Sequence, residues 1–180
     1  MAASHPRPGE VLLDARTIAS RIAELGIEIS ASYGGIAEPL IMVCVLKGSL
    51  FFTADLGRAM TIPVEFDCIA VRSYGHRVVS SGSVELVKDI QTGIGGRDVL
   101  LVEDIIDTGN TTAYLFGHLA RHRPRSLRLV ALLNKPSRRE TEVPIAFQGF
   151  EISNRFVVGY GLDHDERYRN LPDVRLLDEV

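Results

Sequence analysis

Three carboxylates and the small polar residues that follow them form the stretch of this chain best suited to chemistry. Glu103 and Asp104 come directly after the apolar run 99–102, and Asp107 stands before a Thr-Gly-Asn-Thr turn. Such a turn ahead of a helix leaves backbone N–H groups uncovered, and the helix dipole adds partial positive charge, so it suits a phosphate. Carboxylates beside a phosphate would repel it unless they bind Mg²⁺, contact sugar hydroxyls or accept a proton. The combination therefore predicts a site for a phosphorylated sugar.

The same stretch predicts the elements that position these carboxylates: a buried strand, an acidic loop and a helix. Four residues share one face of the predicted helix: Thr112, Leu115, Phe116 and Leu119. Ordinary capping of this helix is the alternative interpretation, since Asp107 and Thr108 are both good N-cap residues. The acidic pair after a buried strand favours a ligand site, because open α/β sheets bind ligands at the carboxyl ends of their strands. The spacing fits neither the P-loop nor the dinucleotide-binding glycine motif.

Alternating apolar runs and amphipathic segments predict the elements around the carboxylates. The apolar run 40–46 has the length of a strand covered on both faces, and further strands are expected over 64–71 and 127–133. A packing helix is expected over 14–32, with Asp14 as its N-cap. Its apolar positions recur at helical spacing: Ile18, Ile22, Leu25 and Ile29. Strands that alternate with helices predict an α/β fold with an open, mostly parallel sheet flanked by helices.

The segment 99–112 resembles the phosphoribosyl pyrophosphate (PRPP) binding motif of the type I phosphoribosyltransferases. Its pattern E-D-I-I-D-T-G-N-T is similar to that of the 6-oxopurine branch, and further matches extend from about Val11 to Leu171. The resemblance implies transfer of 5-phosphoribosyl from PRPP to N9 of a 6-oxopurine base, hypoxanthine or guanine, with Mg²⁺ as cofactor. It also implies the type I phosphoribosyltransferase fold, in which both chain ends form a small hood.

The resemblance assigns roles to the residues of this motif. Glu103 and Asp104 are implied to fix the ribose hydroxyls and the metal shell, and Asp107 is our choice for the general base at purine N7. The implied PRPP-binding residues are Glu103, Asp104, Asp107, Thr108, Gly109, Asn110 and Thr111. The implied metal ligands are Glu103 and Asp104, with Asp163 implied to hold a second Mg²⁺.

A second anion site is expected in the turn after the strand at 40–46. Lys47 and Gly48 form this turn, for which an ordinary turn glycine with an exposed lysine is the alternative. In the family the matching turn contacts the pyrophosphate of PRPP, and the bond before its lysine is cis, which here is Leu46–Lys47. Arg169 is implied to bind the same pyrophosphate.

Two later stretches resemble the purine-binding parts of the bacterial enzymes. Lys135 matches the lysine that the family places against the 6-oxo group, although lysines at strand ends are more often exposed. The run F-V-V-G-Y-G-L-D, followed by R-N-L-P, resembles the purine-binding hood, in which Phe156 would stack on the base and Val157 would offer backbone hydrogen bonds. His164 stands where relatives commonly carry an aromatic residue, which leaves base preference open. The implied purine-binding residues are Ile105, Lys135, Phe156, Val157 and Asp163.

A polar segment between two predicted strands is expected to act as a lid. It is rich in Ser and Gly, and a long, weakly packed hairpin can close over a site. Ser73 and Tyr74 match the family's paired Ser-Tyr, while an ordinary surface hairpin is the alternative. We therefore expect a flexible N-terminal tail over 1–9 and a single domain over 10–180, with a mobile lid at about 72–88.

Composition limits the classes of function and partner. The chain has 180 residues, 46% of them hydrophobic, and a formal net charge of −3, which argues against general attraction to nucleic acid or membranes. Cys44 and Cys68 lie in apolar runs, as free thiols in a reduced compartment would, and residues 1–9 do not resemble a signal peptide, so a cytoplasmic location is expected. No metal pair is expected among the histidines, which are His5, His76, His118, His122 and His164.

Two alternatives to the 6-oxopurine enzyme come from related folds. A PRPP sensor without catalysis would not need Lys135, Asp163 and Arg169 together, nor a carboxylate at Asp107. A pyrimidine or xanthine phosphoribosyltransferase would be distinguished by a panel of bases. The resemblance also implies a homodimer or homotetramer, since relatives usually form one or the other.

Overall fold

A six-stranded sheet and a three-stranded sheet frame the protein in the computed structural model, which describes residues 7–73 and 84–177. The strands are β1 (Pro8–Leu13), β2 (Leu40–Leu46), β3 (Val64–Ser73), β4 (Val84–Lys88), β5 (Asp98–Ile106), β6 (Ser126–Asn134), β7 (Ile145–Glu151), β8 (Val157–Val158) and β9 (Val174–Leu177). The helices are α1 (Ala15–Ser32), α2 (Leu50–Ala59), α3 (Asn110–Ala120) and a 3-10 turn at Pro136–Arg138. Among these described residues, no helix is both long and apolar enough to span a membrane.

The large sheet has the strand order β4-β3-β2-β5-β6-β7, and only β4 runs antiparallel to its neighbour. This confirms the open, mostly parallel sheet that the alternation of strands and helices predicts. β2 and β5 lie side by side, with Ile41 paired to Val99 and Cys44 paired to Val102. Parallel neighbours end at the same edge, so the lysine turn after β2 and the carboxylates of β5 meet there despite their separation in sequence.

Helices cover both faces of this sheet and form two apolar clusters. On one face, α1 and α2 pack against Leu40, Met42 and Leu100, and on the other α3 packs against Ile41 and Leu101. The α1 residues predicted to be apolar at helical spacing are all buried: Ile18, Ile22, Leu25 and Ile29. The Asp14 side chain caps this helix as predicted, because it accepts hydrogen bonds from the backbone N–H groups of Arg16 and Thr17.

The small sheet has the order β1-β9-β8 and joins both ends of the chain. This matches the hood that the resemblance implies. β1 begins at Pro8, inside the segment predicted as a tail, because the backbone there pairs with Leu177 of β9. Residues 1–6 of that predicted tail lie outside the described residues.

The acidic pair is part of a strand, so the prediction of an acidic loop after a short strand is wrong. β5 continues to Ile106 because β6 pairs with it over its whole length, Glu103 opposite Ala131 and Ile105 opposite Leu133. Backbone pairing in the middle of the sheet thus outweighs the charge of the two side chains. Their carboxylates are consequently held by the sheet.

The two strands that flank the predicted lid form an antiparallel pair, with Ser73 opposite Val84. Tyr74 and the rest of the segment 74–83 lie outside the described residues. The proposed closing motion is therefore a prediction from the sequence.

Asp67 of β3 fixes the segment that follows β4. Its carboxylate accepts hydrogen bonds of 2.7 Å from the backbone N–H groups of Cys68, Gln91 and Thr92, and Lys88 Nζ lies 3.5 Å away. Burial alone would raise the pKa of Asp67, but the three backbone donors outweigh it and hold the pKa below its ordinary value. The ionised Asp67 carboxylate thus stabilises the fold at this point.

We expect Asp67→Asn to lower the free energy of unfolding by about 2 kcal/mol at neutral pH, because a neutral amide replaces an anion that accepts several hydrogen bonds. The lowered pKa means that the stabilising contribution is complete above about pH 4 and disappears as the pH falls through the folded-state value. Urea denaturation at several pH values measures this difference. Glu142→Gln, which changes an exposed carboxylate, is the matched control, and equal losses in both variants would contradict the assignment.

Candidate active site

The carboxyl edge of the central strands holds a cavity of about 300 Å³. It lies between the turn after β2, the end of β5, the start of α3 and the hood. The residues predicted for PRPP and metal binding that line it are Lys47, Gly48, Glu103, Asp104, Asp107, Thr108, Gly109, Thr111, Asp163 and Arg169. The structure therefore brings together residues from three separate segments of the sequence, 47–48, 103–111 and 163–169.

The start of α3 is open to an anion. Gly109 is the N-cap in a left-handed conformation, with φ of 88°, and has no side chain to cap the helix. Neither Asp107 nor Thr108 is therefore the N-cap, although Thr108 Oγ1 accepts a long hydrogen bond of 3.4 Å from the Asn110 N–H. The backbone N–H groups of Thr111 and Thr112 donate to no backbone carbonyl among the described residues, which leaves them available to a phosphate.

Asn110 is the one member of the predicted PRPP-binding set that does not line this cavity. Its side-chain amide donates to Glu140 Oε2 at 2.9 Å, and its oxygen accepts from Thr141 Oγ1 at 2.6 Å. The backbone N–H groups of the same two residues bond to Thr108 O at 2.9 and 3.0 Å. Asn110 thus holds the turn in place from behind.

Glu103 and Asp104 are enclosed carboxyl groups on successive residues of β5. Burial and the neighbouring Asp104 raise the pKa of Glu103 well above its ordinary value, although Thr112 Oγ1 donates a 3.2 Å hydrogen bond to it. Burial raises the pKa of Asp104 to about 6. Two carboxylates that are costly to ionise next to each other suit a divalent cation, and their oxygen donors fit Mg²⁺.

The turn after β2 packs directly on Asp104. A Cβ atom on Gly48 would overlap the Asp104 carboxylate, and a Cβ on Gly161 of the hood would overlap the Gly48 carbonyl. The bond between Leu46 and Lys47 is cis, as the resemblance implies. Glycine at both 48 and 161 allows these three segments to approach so closely.

Lys47 and Arg169 face each other across the cavity mouth with Glu166 between them. Glu166 Oε2 lies 3.0 Å from Lys47 Nζ and 3.3 Å from Arg169 Nη2. Arg169 also bonds Asp163 Oδ1 at 2.8 Å, while Asp163 Oδ2 accepts the Glu166 N–H at 2.9 Å. Both Asp163 oxygens keep a lone pair for a metal ion. The sequence analysis did not single out Glu166, because its type and position do not reveal which cations it reaches.

A second cavity, of about 650 Å³, adjoins the first and opens toward the hood. The residues predicted for purine binding all line it: Ile105, Lys135, Phe156, Val157 and Asp163. Phe156 is 54% exposed, which leaves its ring free to stack, and it lies edge-on to the His164 ring with centroids 5.6 Å apart. Val157 is fixed in β8 opposite Leu176.

Lys135 is buried, with 6% of its surface exposed, so the alternative of an exposed lysine is wrong. Burial lowers the pKa of Lys135, because the charged form is poorly solvated there. Its ammonium lies 4.0 Å from Asp107 Oδ2 and forms no hydrogen bond within the described residues. A buried donor without a full set of partners is suited to a ligand carbonyl.

Asp107 lines both cavities and stands between two cations. Arg138 Nε lies 3.0 Å from Asp107 Oδ1 as an ion pair, while Oδ1 accepts no hydrogen bond from the described residues. Lys135 is on the side of Oδ2. This carboxylate is therefore held at the junction of the two cavities with an oxygen free to take a proton.

Comparison with known proteins agrees with this geometry. Residues 9–165 match the model of the phosphoribosyl transferase domain family. The chain is 49% identical to the hypoxanthine-guanine phosphoribosyltransferase of Mycobacterium avium over 95% of this chain and 88% of that one. It is 45% identical to the hypoxanthine phosphoribosyltransferase of Salmonella typhimurium over 94% and 97%.

Among solved structures, a hypoxanthine-guanine phosphoribosyltransferase from Bacillus anthracis superposes with a TM-score of 0.90 at 38% identity, over 96% of this chain and 100% of that one. A match at this TM-score over nearly the whole chain shows that the fold is the type I phosphoribosyltransferase fold. By its sequence, its fold and its paired cavities, this chain belongs to the phosphoribosyl transferase family.

Proposed function

We propose that this protein transfers the 5-phosphoribosyl group of PRPP to N9 of hypoxanthine or guanine, forming IMP or GMP and pyrophosphate in purine salvage. The observation that carries the proposal is the position of Asp107 at the junction of the acidic cavity and the Phe156 cavity. One cavity suits a phosphorylated sugar and the other an aromatic base, so the bond between them would form beside Asp107. The activities named for the similar proteins support the same reaction.

The phosphoribosyl half of the substrate is proposed to bind to the turn before α3. Free N–H groups at Thr111 and Thr112 would bind the 5-phosphate, and Asp104 and Glu103 would contact the ribose hydroxyls. The anomeric carbon develops positive charge as pyrophosphate departs, so the protein mainly positions the reactants and stabilises charge. No covalent intermediate with the protein is needed.

Mg²⁺ is the proposed cofactor. Glu103 and Asp104 are the residues that would hold one ion, and Asp163 would hold a second. When bound, the cation would neutralise charge on the departing pyrophosphate. Lys47 and Arg169 would contact the same group, which requires that Glu166 leave its place between them.

Base recognition is proposed to depend on Lys135 and the hood. The buried ammonium would donate to a 6-oxo group but would face the amino donor of adenine, and an unpaired buried donor costs about 1 to 3 kcal/mol. Phe156 would stack on the base and the backbone of Val157 would bond to its edge. Ile105 would pack beside it at the boundary of the two cavities.

The remaining proposals concern the surroundings of the reaction. Ser73 and Tyr74 would belong to a lid, within about 72–88, that excludes water from the activated sugar. We further propose a single domain over 10–180, a cytoplasmic location, and a homodimer or homotetramer that binds neither nucleic acid nor membranes.

The proposed function is tested by the ultraviolet change on mixing the protein with PRPP, Mg²⁺ and each of five bases. Hypoxanthine and guanine should react fast, while uracil and adenine should react slowly. Xanthine shares the 6-oxo group, so its rate tests the base preference that the sequence leaves open. Fast uracil or xanthine transfer would favour the pyrimidine or xanthine enzyme. PRPP binding without transfer to any base would favour the sensor.

Asp107→Asn should reduce kcat by about 10² to 10⁴, because general-base removal typically costs that much. PRPP affinity should change little, since the amide keeps the size of the carboxylate. Transfer rates and PRPP titrations measure the two effects separately. Asp165→Asn is the control, because this exposed hood carboxylate lines neither cavity. Nearly full activity in Asp107→Asn would refute the assignment.

Lys135→Met should raise the KM for hypoxanthine by about 10- to 100-fold, since a hydrogen bond from a charged group contributes about 1.5 to 3 kcal/mol. The preference for hypoxanthine over adenine should fall by a similar factor. Lys47→Met should instead weaken pyrophosphate binding and leave the preference for hypoxanthine over adenine unchanged. An unaltered base preference in Lys135→Met would contradict its role.

Glu166→Gln should tighten pyrophosphate inhibition by about 2- to 5-fold, because an exposed ion pair contributes up to about 1 kcal/mol and the product must break it. Glu142→Gln, another exposed carboxylate, should have no effect. Weaker inhibition in Glu166→Gln would mean that this side chain assists pyrophosphate binding.

A further inference from the structure

The C-terminal end of α3 brings two histidines to a carboxylate from another element. His118 and His122 are four residues apart, and Asp89 directly follows β4. One donor atom from each of the three side chains lies within 4.8 Å of the other two. The sequence analysis expected no metal pair among the histidines, but residues at i and i+4 near a helix end share one side, which brings these two rings together.

Part of this cluster is already joined by a hydrogen bond. His118 Nε2 and Asp89 Oδ1 are 2.9 Å apart, and the His118 and His122 ring centroids are 5.6 Å apart at 67°. Asp89 and His122 are exposed, so an ion in solution can reach them. An ordinary His–Asp hydrogen bond explains two of the three residues but gives no role to His122.

We propose that Asp89, His118 and His122 bind a divalent transition-metal ion, with Zn²⁺ the best fit. Two imidazole nitrogens and one carboxylate oxygen are typical zinc ligands, whereas Mg²⁺ selects oxygen donors. Bonds of about 2.1 Å place tetrahedral donors about 3.4 Å apart, so small side-chain rotations close the present spacing. Water completes the coordination.

The segments that carry the ligands are held in place by other contacts. Asp67 anchors Gln91 and Thr92 next to Asp89, as described above, and the Ile90 N–H bonds Asp89 Oδ1 at 2.8 Å. The ring of Tyr114 stacks on His118 with 12° between their planes. The metal therefore binds to elements that are already positioned and links β4 to α3.

This site is separate from the one proposed for Mg²⁺. α3 has 11 residues, so its ends are about 16 Å apart, with the phosphate turn at the N-terminal end and the histidines at the other. The donor sets differ as well, because Glu103, Asp104 and Asp163 offer only oxygen. The two sites can therefore be tested independently, whatever reaction the protein catalyses.

The test uses the untagged, full-length protein, stripped with a chelator and kept in excess Mg²⁺ to occupy the carboxylate site. Titration with CoCl₂ should give visible d–d bands that saturate at one equivalent and disappear when ZnCl₂ is added. ZnCl₂ at 100 times its dissociation constant should raise the Tm by about 5 to 10 °C. Absence of the bands and of the Tm shift would overturn the proposal.

Variants assign the site to its residues. His122→Ala and Asp89→Asn should each weaken Co²⁺ binding by at least about 10-fold, since each removes one ligand or its charge. Arg121→Ala is the matched control, because it changes the neighbouring residue without removing a donor. Wild-type affinity for Co²⁺ in His122→Ala would overturn the proposal. Loss of Co²⁺ binding only in Cys68→Ser would also overturn it, because a thiol would then be the ligand.

Discussion

The pairing of β2 with β5 is the constraint on which the rest of the site depends. It sets the lysine turn beside the acidic pair, and the fit is so close that Gly48 has no room for a side chain against Asp104. The hood then packs Gly161 on the same glycine. The register of β2 against β5 therefore fixes how far the basic side chains proposed to bind pyrophosphate lie from the carboxylates proposed to contact the ribose.

Charge is distributed along the carboxyl edge in a way that matches two different ligands. The acids of β5 are enclosed, and their pKa values are raised, so they favour a cation or a proton. Asp107 instead lies beside two cationic side chains, Lys135 and Arg138. Asp107 thus has a different environment from Glu103 and Asp104, although it is at most four residues away. Metal ligation and proton transfer require such a difference.

Much of the fold was predictable because its signals are local. Ile18 and Ile29 repeat at helical spacing, and the motif at 103–111 has a specific order of residue types. The strand that includes Glu103 was not predictable, because its pairing with β6 outweighs the local charge. Glu166 was missed because its approach to Lys47 depends on a hood loop with left-handed backbone at Asp165 and Glu166. The contact of Asp89 with the histidines likewise depends on tertiary structure.

The hood has a consequence for the order in which the protein folds. The turn before α3 is built from neighbouring residues, whereas β8 is covered by β9, and β9 in turn pairs with β1 at the opposite end of the chain. Contacts between distant residues form slowly, because a long loop must close first. During synthesis, the turn before α3 therefore leaves the ribosome before β9, the strand on which the surface for the base depends.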